Sequence, residues 1–202
     1  MSSACVYPRY CTIPTPEEEG FNGEPEPTNQ GYGWAKRMEE YLSHWYRHEY
    51  DMNISVARPY NAYGPRDNFD PASSHVIPAL IKKVLEAKNS IEVWGTGEQS
   101  RSFIYATDFV NGLIKIAEIM PKETINIGAD EEIKIKELVY LIRELSNQNI
   151  EIIFDTSKPT GQPRRKCDTT KAQNILGFRA KVPFRKGLKK TIEWYIKNSK
   201  FS

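Results

Sequence analysis

Apolar residues recur at spacings of three and four in several stretches of the chain, which predicts amphipathic helices. The first such stretch covers residues 33–50, and its recurring positions are Trp34, Met38, Tyr41, Leu42, Trp45 and Tyr46. We expect these side chains to form the buried face of a first helix. Further helices are predicted at 75–87, 108–119, 135–146, 169–176 and 184–198.

Short apolar runs alternate with these helices and predict strands. The runs lie within 54–67, where the strand leads into an Asn/Gly/Pro turn, and at 91–94, 124–128 and 151–154. Strands that alternate with helices indicate an α/β fold with parallel strand pairing. Residues 9–31 are rich in Pro, Gly and acidic residues, so we expect a long surface loop there.

The composition narrows the class of protein. The 202 residues are 39% hydrophobic and 27% charged, which is ordinary for a globular chain able to bury a core. A net charge of +2 gives no reason to expect nucleic acid or a membrane surface as partner. Three cysteines without metal-type spacing favour reduced thiols, and no apolar run is long enough to span a bilayer. We therefore expect a cytoplasmic protein.

Tyr32 and Lys36 are the first residues that suggest chemistry. They lie four positions apart in the stretch YGWAK, so they would share one face of the first helix. A lysine ammonium stabilises a neighbouring phenolate, and such a tyrosine can exchange a proton with an alcohol or carbonyl oxygen. The same pair also fits a solvated helix face, and the spacing alone does not decide between the two.

Separated motifs along nearly the whole chain narrow the interpretation. In order they are SSACVYP (2–8), YGWAK (32–36), RPYNAYGPRD (58–67), VWGTGEQSRSFIYATD (93–108), INIG (125–128) and DTTKAQNILGF (168–178). Together they resemble the extended short-chain dehydrogenase/reductase family of nucleotide-sugar epimerases, dehydratases and reductases. The resemblance implies an incomplete Rossmann-type parallel sheet plus a small α/β substrate-binding lobe. It places the Rossmann remnant at 1–70 and mainly the lobe at 71–202, with 103–128 returning to the Rossmann sheet.

Five further stretches narrow the resemblance: CVYP (5–8), EPTN (26–29), DNF (67–69), SHVIPAL (74–80) and FDTSKPTGQPRR (154–165). On these, the sequence is within that family most similar to enzymes that epimerise a GDP-linked 4-keto-6-deoxy sugar at C3 and C5 and then reduce C4 with NADPH. The resemblance implies that Ser3 polarises the C4 carbonyl, that Tyr32 donates the proton and that Lys36 tunes Tyr32. The residues that it implies for binding of NADP or NAD are Tyr32, Lys36 and Pro59.

The resemblance also implies that Cys5 and His75 are an acid/base pair for epimerisation. A 4-keto group acidifies the hydrogens on C3 and C5, and a thiolate and an imidazole on opposite faces can remove and return these protons. The alternative is that Cys5 is a small buried hydrophobe and His75 a polar residue at a helix start.

Four residues match substrate-binding positions of the family. Asn61, Arg101 and Arg164 would hold the nucleotide diphosphate, because a guanidinium suits phosphate through paired hydrogen bonds. Lys83 would be a second basic contact, although a solvated helix lysine is an equal alternative. The implied partner is a nucleotide-sugar substrate, GDP-linked by resemblance, and the full-length form would be a homodimer.

Two further pairs of residues are interpreted as structural. Asp108 and Asp168 resemble family positions but are expected to cap helices. His44 and His48 lie four residues apart, and without a third ligand we expect a solvent-facing helix edge rather than a metal site.

The Gly-rich turn that receives a dinucleotide is not among the motifs, since no G-x-G-x-x-G or G-x-x-G-x-x-G occurs. By resemblance, roughly the first hundred residues of the cofactor domain would precede Ser2. We therefore expect this chain alone to bind NADP weakly or not at all, and to self-associate through a sheet edge that would otherwise be paired and covered. The alternative functions for this chain are those of a GDP-mannose 3,5-epimerase, a 4-epimerase or a 4,6-dehydratase, or of a non-catalytic fragment that binds a nucleotide sugar.

Overall fold

The computed structural model describes residues 1–158 and 162–199. The helices are α1 (Gln30–Tyr50), α2 (Val76–Glu86), α3 (Ala106–Ile119), α4 (Ile135–Leu145), α5 (Thr170–Leu176) and α6 (Phe184–Asn198). The strands are β1 (Val56–Pro59), β2 (Ala62–Tyr63), β3 (Ser90–Trp94), β4 (Ser100–Ser102), β5 (Ile104–Tyr105), β6 (Thr124–Ile127), β7 (Glu132–Lys134), β8 (Glu151–Asp155) and β9 (Arg164–Arg165). The predicted α/β class is confirmed, and each predicted helix is present.

The chain divides into two compact units. The first contains Met1–Ala62, Ser102–Glu132 and Arg164–Lys181, and the second contains Tyr63–Arg101, Ile133–Pro163 and Val182–Ser202. Residues 103–128, which the sequence assigned to the sheet of the first domain, belong to the first unit. So does the segment Arg164–Lys181, which the sequence assigned to the second domain.

The first unit is built on the parallel pair β1 and β6. Val56 lies opposite Thr124, and Pro59 lies opposite Ile127. The β-branched residues Ile125 and Ile127 are fully buried and belong to one apolar cluster with residues of α3 and α5. Gly112 of α3 permits this packing, because a Cβ there would come within 2.8 Å of the Ile127 side chain.

The second unit is built on the parallel pair β3 and β8. In β3 the side chains alternate, so that Ile91 and Val93 are buried while Glu92 is exposed, as period-two geometry requires. Helices α2, α4 and α6 pack together and bury Ile81, Leu138 and Ile142, among others. Among the described residues of the whole chain, no helix is both long enough and apolar enough to cross a membrane.

The predicted orientation of α1 is wrong. The apolar residues expected to form its buried face are between 40 and 57% exposed: Trp34, Met38, Tyr41, Leu42, Trp45 and Tyr46. The buried residues of α1 are Gly33, Arg37 and Glu40. The reason is that α1 packs against polar backbone and a buried cation, so the contact side is selected by hydrogen bonds and close approach rather than by apolar area.

Candidate functional site

The N-terminal segment Met1–Val6 lies along the buried face of α1. A Cβ on Gly33 would come within 2.5 Å of the Cys5 carbonyl oxygen, so only glycine allows the helix backbone to approach this closely. Further along the helix, Lys36 Nζ donates to the Met1 carbonyl oxygen at 3.3 Å. The segment that carries Ser3 and Cys5 is therefore held next to the start of α1.

Ser3 and Cys5 occupy a short 3₁₀ turn, Ala4–Val6. The Ser3 hydroxyl is its N-cap and accepts a hydrogen bond from the Cys5 backbone N–H at 3.2 Å. Both side chains are partly buried, and Cys5 is a free thiol. The Ser3 hydroxyl still has its own proton to donate, because in this contact it acts only as acceptor.

Tyr32 and Lys36 lie one turn apart in the first two turns of α1. The Lys36 ammonium is 5.6 Å from the centroid of the Tyr32 ring. Lys36 also donates to Glu39 Oε1 at 2.6 Å, and this hydrogen bond raises the pKa of Lys36. Tyr32 is 52% exposed, so its hydroxyl can reach a bound molecule.

A buried ion pair lies on the buried face of α1, one turn beyond Lys36. The Arg58 guanidinium donates from Nε to Glu40 Oε1 at 2.8 Å and from Nη2 to Oε2 at 2.6 Å. Both side chains are at most 5% exposed. Burial opposes the charge of Arg58, but these bonds and the negative charge of Glu40 raise its pKa overall. The Ser2 hydroxyl also donates to Glu40.

The ion pair continues into a buried polar network. Arg58 Nη1 donates to the Tyr7 hydroxyl at 3.0 Å, which in turn donates to Asn126 Oδ1 at 2.5 Å. The Asn126 backbone N–H donates to Glu17 Oε1 at 2.8 Å. Burial raises the pKa of both Tyr7 and Glu17. The sequence analysis did not predict this network. The only feature of the sequence that points to it is the four-residue spacing from Lys36 to Glu40, which places Glu40 one helical turn beyond Lys36.

Pro59 and Asn61 lie at the carboxyl end of β1, the edge where parallel sheets place their ligands. Both are partly buried. The Asn61 side-chain amide donates to the Ser102 carbonyl oxygen at 2.9 Å, so at least one of its N–H groups is used within the fold.

Lys83 and Arg101 line one cavity of about 250 Å³ in the second unit. Trp94 and Gln99 also line the cavity; the sequence analysis did not single them out, although both lie in the motif at 93–108. Lys83 Nζ donates to the Glu92 carbonyl oxygen at 3.3 Å, and Arg101 Nη1 donates to the Ser100 carbonyl oxygen at 2.7 Å. The cavity therefore combines two cations with an exposed aromatic side chain.

His75 lies at the start of α2 in the second unit. It is the N-cap residue, its side chain makes no capping hydrogen bond, and it is exposed. Burial raises the pKa of the nearby Asp67, and the hydrogen bond from the Asn68 N–H and then the charge of His75 oppose that rise. The exposed ring of His75 is accessible to a bound molecule.

Arg164 does not present a free guanidinium. Its Nε and Nη2 donate to the two carboxylate oxygens of Glu132 at 2.7 and 2.8 Å. The fork that the sequence assigned to a diphosphate is therefore occupied by a carboxylate, and a phosphate would have to displace it.

The residues interpreted as structural have different roles. Asp108 is not the N-cap of α3, which is Tyr105; its Oδ2 accepts from the Lys181 backbone N–H at 2.8 Å. Asp168 is not the N-cap of α5, which is Thr169; its Oδ1 accepts from the Thr170 backbone N–H at 2.9 Å, in the turn just before the helix. His44 and His48 both pack edge-on against Trp45. Within the described residues, no group of three or more potential ligands could hold a metal.

The fold and the motifs together define a Rossmann-type α/β protein of the short-chain dehydrogenase/reductase kind. The chain belongs to the NAD-dependent epimerase/dehydratase family, whose model matches residues 1–128. Members of this family are enzymes.

Similar proteins cover nearly the whole chain. It is 39% identical over 98% of its length to a GDP-L-fucose synthase of Sinorhizobium fredii, and 36% identical over 98% to GDP-L-fucose synthase 1 of Arabidopsis thaliana. The chain spans 64% and 62% of these relatives. The crystal structure of an NADP-bound GDP-L-fucose synthetase from Naegleria fowleri matches all of the chain and 66% of that protein, with a TM-score of 0.90 and 28% identity.

Proposed function

We propose that the chain carries the catalytic residues of a nucleotide-sugar epimerase/reductase of the GDP-L-fucose synthase type. This enzyme epimerises GDP-4-keto-6-deoxymannose at C3 and C5 and reduces C4 with NADPH. The observation that carries the proposal is the docking of Met1–Val6, with Ser3 and Cys5, along the helix face next to Tyr32 and Lys36. The similarity to GDP-L-fucose synthases supports the choice of sugar.

Reduction of C4 needs a proton on the oxygen as a hydride arrives on the carbon. Tyr32 donates that proton from its hydroxyl, and the ammonium of Lys36 stabilises the phenolate that is left. Ser3 donates a hydrogen bond to the carbonyl oxygen, which polarises it and stabilises its developing charge. NADPH supplies the hydride when bound.

The residues near Tyr32 fit such a cofactor. The Lys36 ammonium has three N–H donors, of which Glu39 and Met1 occupy two, so one is left for a ribose hydroxyl. Pro59, at the carboxyl end of β1, contributes an apolar surface where a nicotinamide ring can pack. An NADP-bound structure similar to this chain supports NADP over NAD.

Epimerisation at C3 and C5 precedes the reduction. The 4-keto group delocalises the electron pair left when a C–H bond breaks at either neighbour. By resemblance, the Cys5 thiolate is the base that removes a proton and the His75 imidazolium is the acid that returns one, so that no net proton is consumed. The partial exposure of Cys5 and the exposure of His75 leave both groups accessible to a substrate.

The nucleotide part of the substrate binds in the cavity of the second unit. Lys83 and Arg101 are its cations, and the exposed ring of Trp94 offers a stacking surface for a base. Asn61 and Arg164 are secondary candidates for polar contacts with the substrate. This assignment predicts that GDP binds with a strong dependence on salt.

The protein forms a homodimer through the exposed apolar residues of α1. A monomer that exposes Met38, Leu42 and Trp45 on a single helix leaves a contiguous apolar surface that association would cover. Sedimentation equilibrium of the wild type should show dimers that Leu42→Glu dissociates. The interface is excluded if the wild type remains monomeric even at a concentration 100-fold above the one at which the variant is measured.

The function is tested by incubating the chain with GDP-4-keto-6-deoxymannose in D2O, without NADPH and with NADPH at a concentration high enough to offset the weak NADP binding expected of this chain alone. We expect deuterium at C3 and C5 with or without NADPH. In the samples that contain NADPH, we also expect its oxidation, measured as loss of its absorbance. Cys5→Ser should abolish deuterium incorporation while sparing reduction of the already epimerised ketone. The matched control is Cys11→Ser, which alters another partly buried thiol, six residues further along the chain and outside the 3₁₀ turn.

Other products would redirect the assignment. Deuterium incorporation without reduction would indicate a 3,5-epimerase, and a change at C4 alone a 4-epimerase. Binding of the nucleotide sugar without any turnover would indicate a non-catalytic binding fragment, and absence of binding would contradict the proposal as a whole.

A further inference from the structure

Arg37 has an unusual environment for a cation. It is 2% exposed, and its Nε and Nη2 both donate to one backbone oxygen, the carbonyl of Val6, at 3.0 and 2.7 Å. The guanidinium also lies 4.9 Å from the Trp34 ring centroid and 5.4 Å from that of Phe21. Burial, followed by the positive charge of Arg58, lowers the pKa of Arg37. Burying a cation costs free energy, so a specific interaction must offset the desolvation of the Arg37 guanidinium.

The Val6 carbonyl, which accepts both hydrogen bonds from Arg37, provides this interaction. Val6 is the last residue of the 3₁₀ turn that presents Cys5, and within such a short turn the last carbonyls have no partner of their own. Gly33, one turn before Arg37 on the same helix, lies against the preceding carbonyl, that of Cys5. On the other side of the turn, the Cys5 N–H is held by Ser3 Oγ. Arg37 and Gly33 thus fix two successive carbonyls of the turn to the helix that carries Tyr32 and Lys36.

We propose that Arg37 is a positioning residue that holds the Ser3/Cys5 turn in register with Tyr32 through the Val6 carbonyl. The inference rests on the proposed function for the chemical roles of Ser3, Cys5 and Tyr32. The geometric part, that Arg37 restrains Cys5, stands without it. Loss of the two hydrogen bonds frees the turn and increases access to the Cys5 thiol, while the Glu40–Arg58 pair still joins α1 to β1.

The first test measures the alkylation rates of the three cysteines by iodoacetamide, resolved by peptide mass spectrometry, in the full chain. Cys11 is the partly buried reference, and Cys167, 1% exposed, reports on unfolding. We expect the ratio of Cys5 to Cys11 rates to rise at least fivefold in Arg37→Met. Arg37→Lys keeps the charge and a single donor nitrogen, so its ratio should rise less, because the conservative variant partly rescues the restraint.

The matched control is Arg47→Lys, because Arg47 lies on the same helix and also donates to backbone carbonyls, those of Ser43 and Lys122. Its ratio should stay within twofold of the wild type. The proposal is overturned if both Arg37 variants stay within twofold while Cys167 remains protected, or if Arg47→Lys changes the ratio as much. If Cys167 labels quickly in Arg37→Met, that variant has unfolded and Arg37→Lys decides: at least a twofold rise supports the proposal, and no rise overturns it.

The second test uses deuterium incorporation at C3 and C5 of the nucleotide sugar. Arg37→Met should lower kcat at least tenfold and leave KM within threefold of the wild type, since Arg37 touches the turn and not the cavity of the second unit. A rise in KM with kcat unchanged would contradict positioning. If the wild type itself shows no turnover, the proposed function fails, and the cysteine labelling still decides whether Arg37 restrains Cys5.

Discussion

The two faces of α1 invert the usual distribution of residues on a helix. The inner face buries Gly33, Arg37 and Glu40, which are small or charged, while the outer face exposes Met38, Leu42 and other large apolar residues. Helical propensity and apolar area do not explain the inner face. Hydrogen bonds to the Met1–Val6 segment and to Arg58 do. The difference shows that the inner face of this helix is specialised to hold the segment that carries Ser3 and Cys5.

The inner face should therefore respond to substitution far more strongly than the outer face. The largest effect is expected for Glu40→Ala, which leaves the buried guanidinium of Arg58 without its carboxylate. Breaking one partner of a buried ion pair costs about 3–5 kcal/mol. Urea denaturation followed by circular dichroism measures this loss.

The double variant Glu40→Met with Arg58→Met is the control. Replacing both charges by apolar side chains removes the uncompensated charge, so it should recover most of the lost stability. A Glu40→Ala variant that loses less than about 1 kcal/mol would show that the ion pair does not anchor the inner face.

Gly33→Ala should have the next largest effect. Its Cβ would meet the Cys5 carbonyl oxygen and the Pro25 side chain, each at 2.5 Å. Such overpacking costs about 1–3 kcal/mol, because backbone must move. Gly31→Ala on the same helix is the matched control, since a Cβ there has nothing within 4 Å. Thermal denaturation should separate the two, and equal stabilities would contradict the close approach of helix and turn.

Glu17→Gln probes the buried network through its pH dependence. Burial raises the pKa of Glu17 in the folded state above its value in the unfolded chain, so the ionised carboxylate destabilises the fold at high pH. The wild type gains this stability back as the pH falls below the folded pKa. Gln keeps an oxygen that accepts from the Asn126 N–H but carries no charge. The free energy of unfolding of the variant should therefore exceed that of the wild type at pH 8, and the difference should shrink towards pH 5. Denaturation curves at both values check the sign, and an advantage that grows on acidification would refute it.

The smallest effect is expected on the outer face. Met38→Gln changes a side chain that is 57% exposed, so the free energy of unfolding at monomeric concentrations should change by no more than about 0.5 kcal/mol. Denaturation at dilute protein measures it. A loss comparable to that of Gly33→Ala would mean that the two faces are not as different as the structure indicates.

The sequence was sufficient to predict the helices and the four strands of the two parallel pairs, β1, β6, β3 and β8, because their apolar periodicity reflects burial within each unit. It failed for α1, where hydrophobic periodicity identified the outer face and the inner face is defined by partners distant in the chain. Arg37 and Glu40 have no local signal beyond their spacing from Gly33 and Lys36. Of the residues that line the cavity, the sequence analysis identified the two cations, Lys83 and Arg101, through their resemblance to family positions. Trp94 and Gln99 could be assigned to the cavity only from the folded structure.

The central claim is that the start of α1, beside the Ser3/Cys5 turn, is where the proton is donated. Tyr32 and Tyr41 lie on this helix with 52 and 53% exposure, so Tyr32→Phe and Tyr41→Phe form a matched pair. The rate of NADPH-dependent reduction of the epimerised GDP-4-keto sugar tests the claim directly. We predict a loss of about 100-fold or more for Tyr32→Phe and a change within twofold for Tyr41→Phe. Equal rates in the two variants would contradict it.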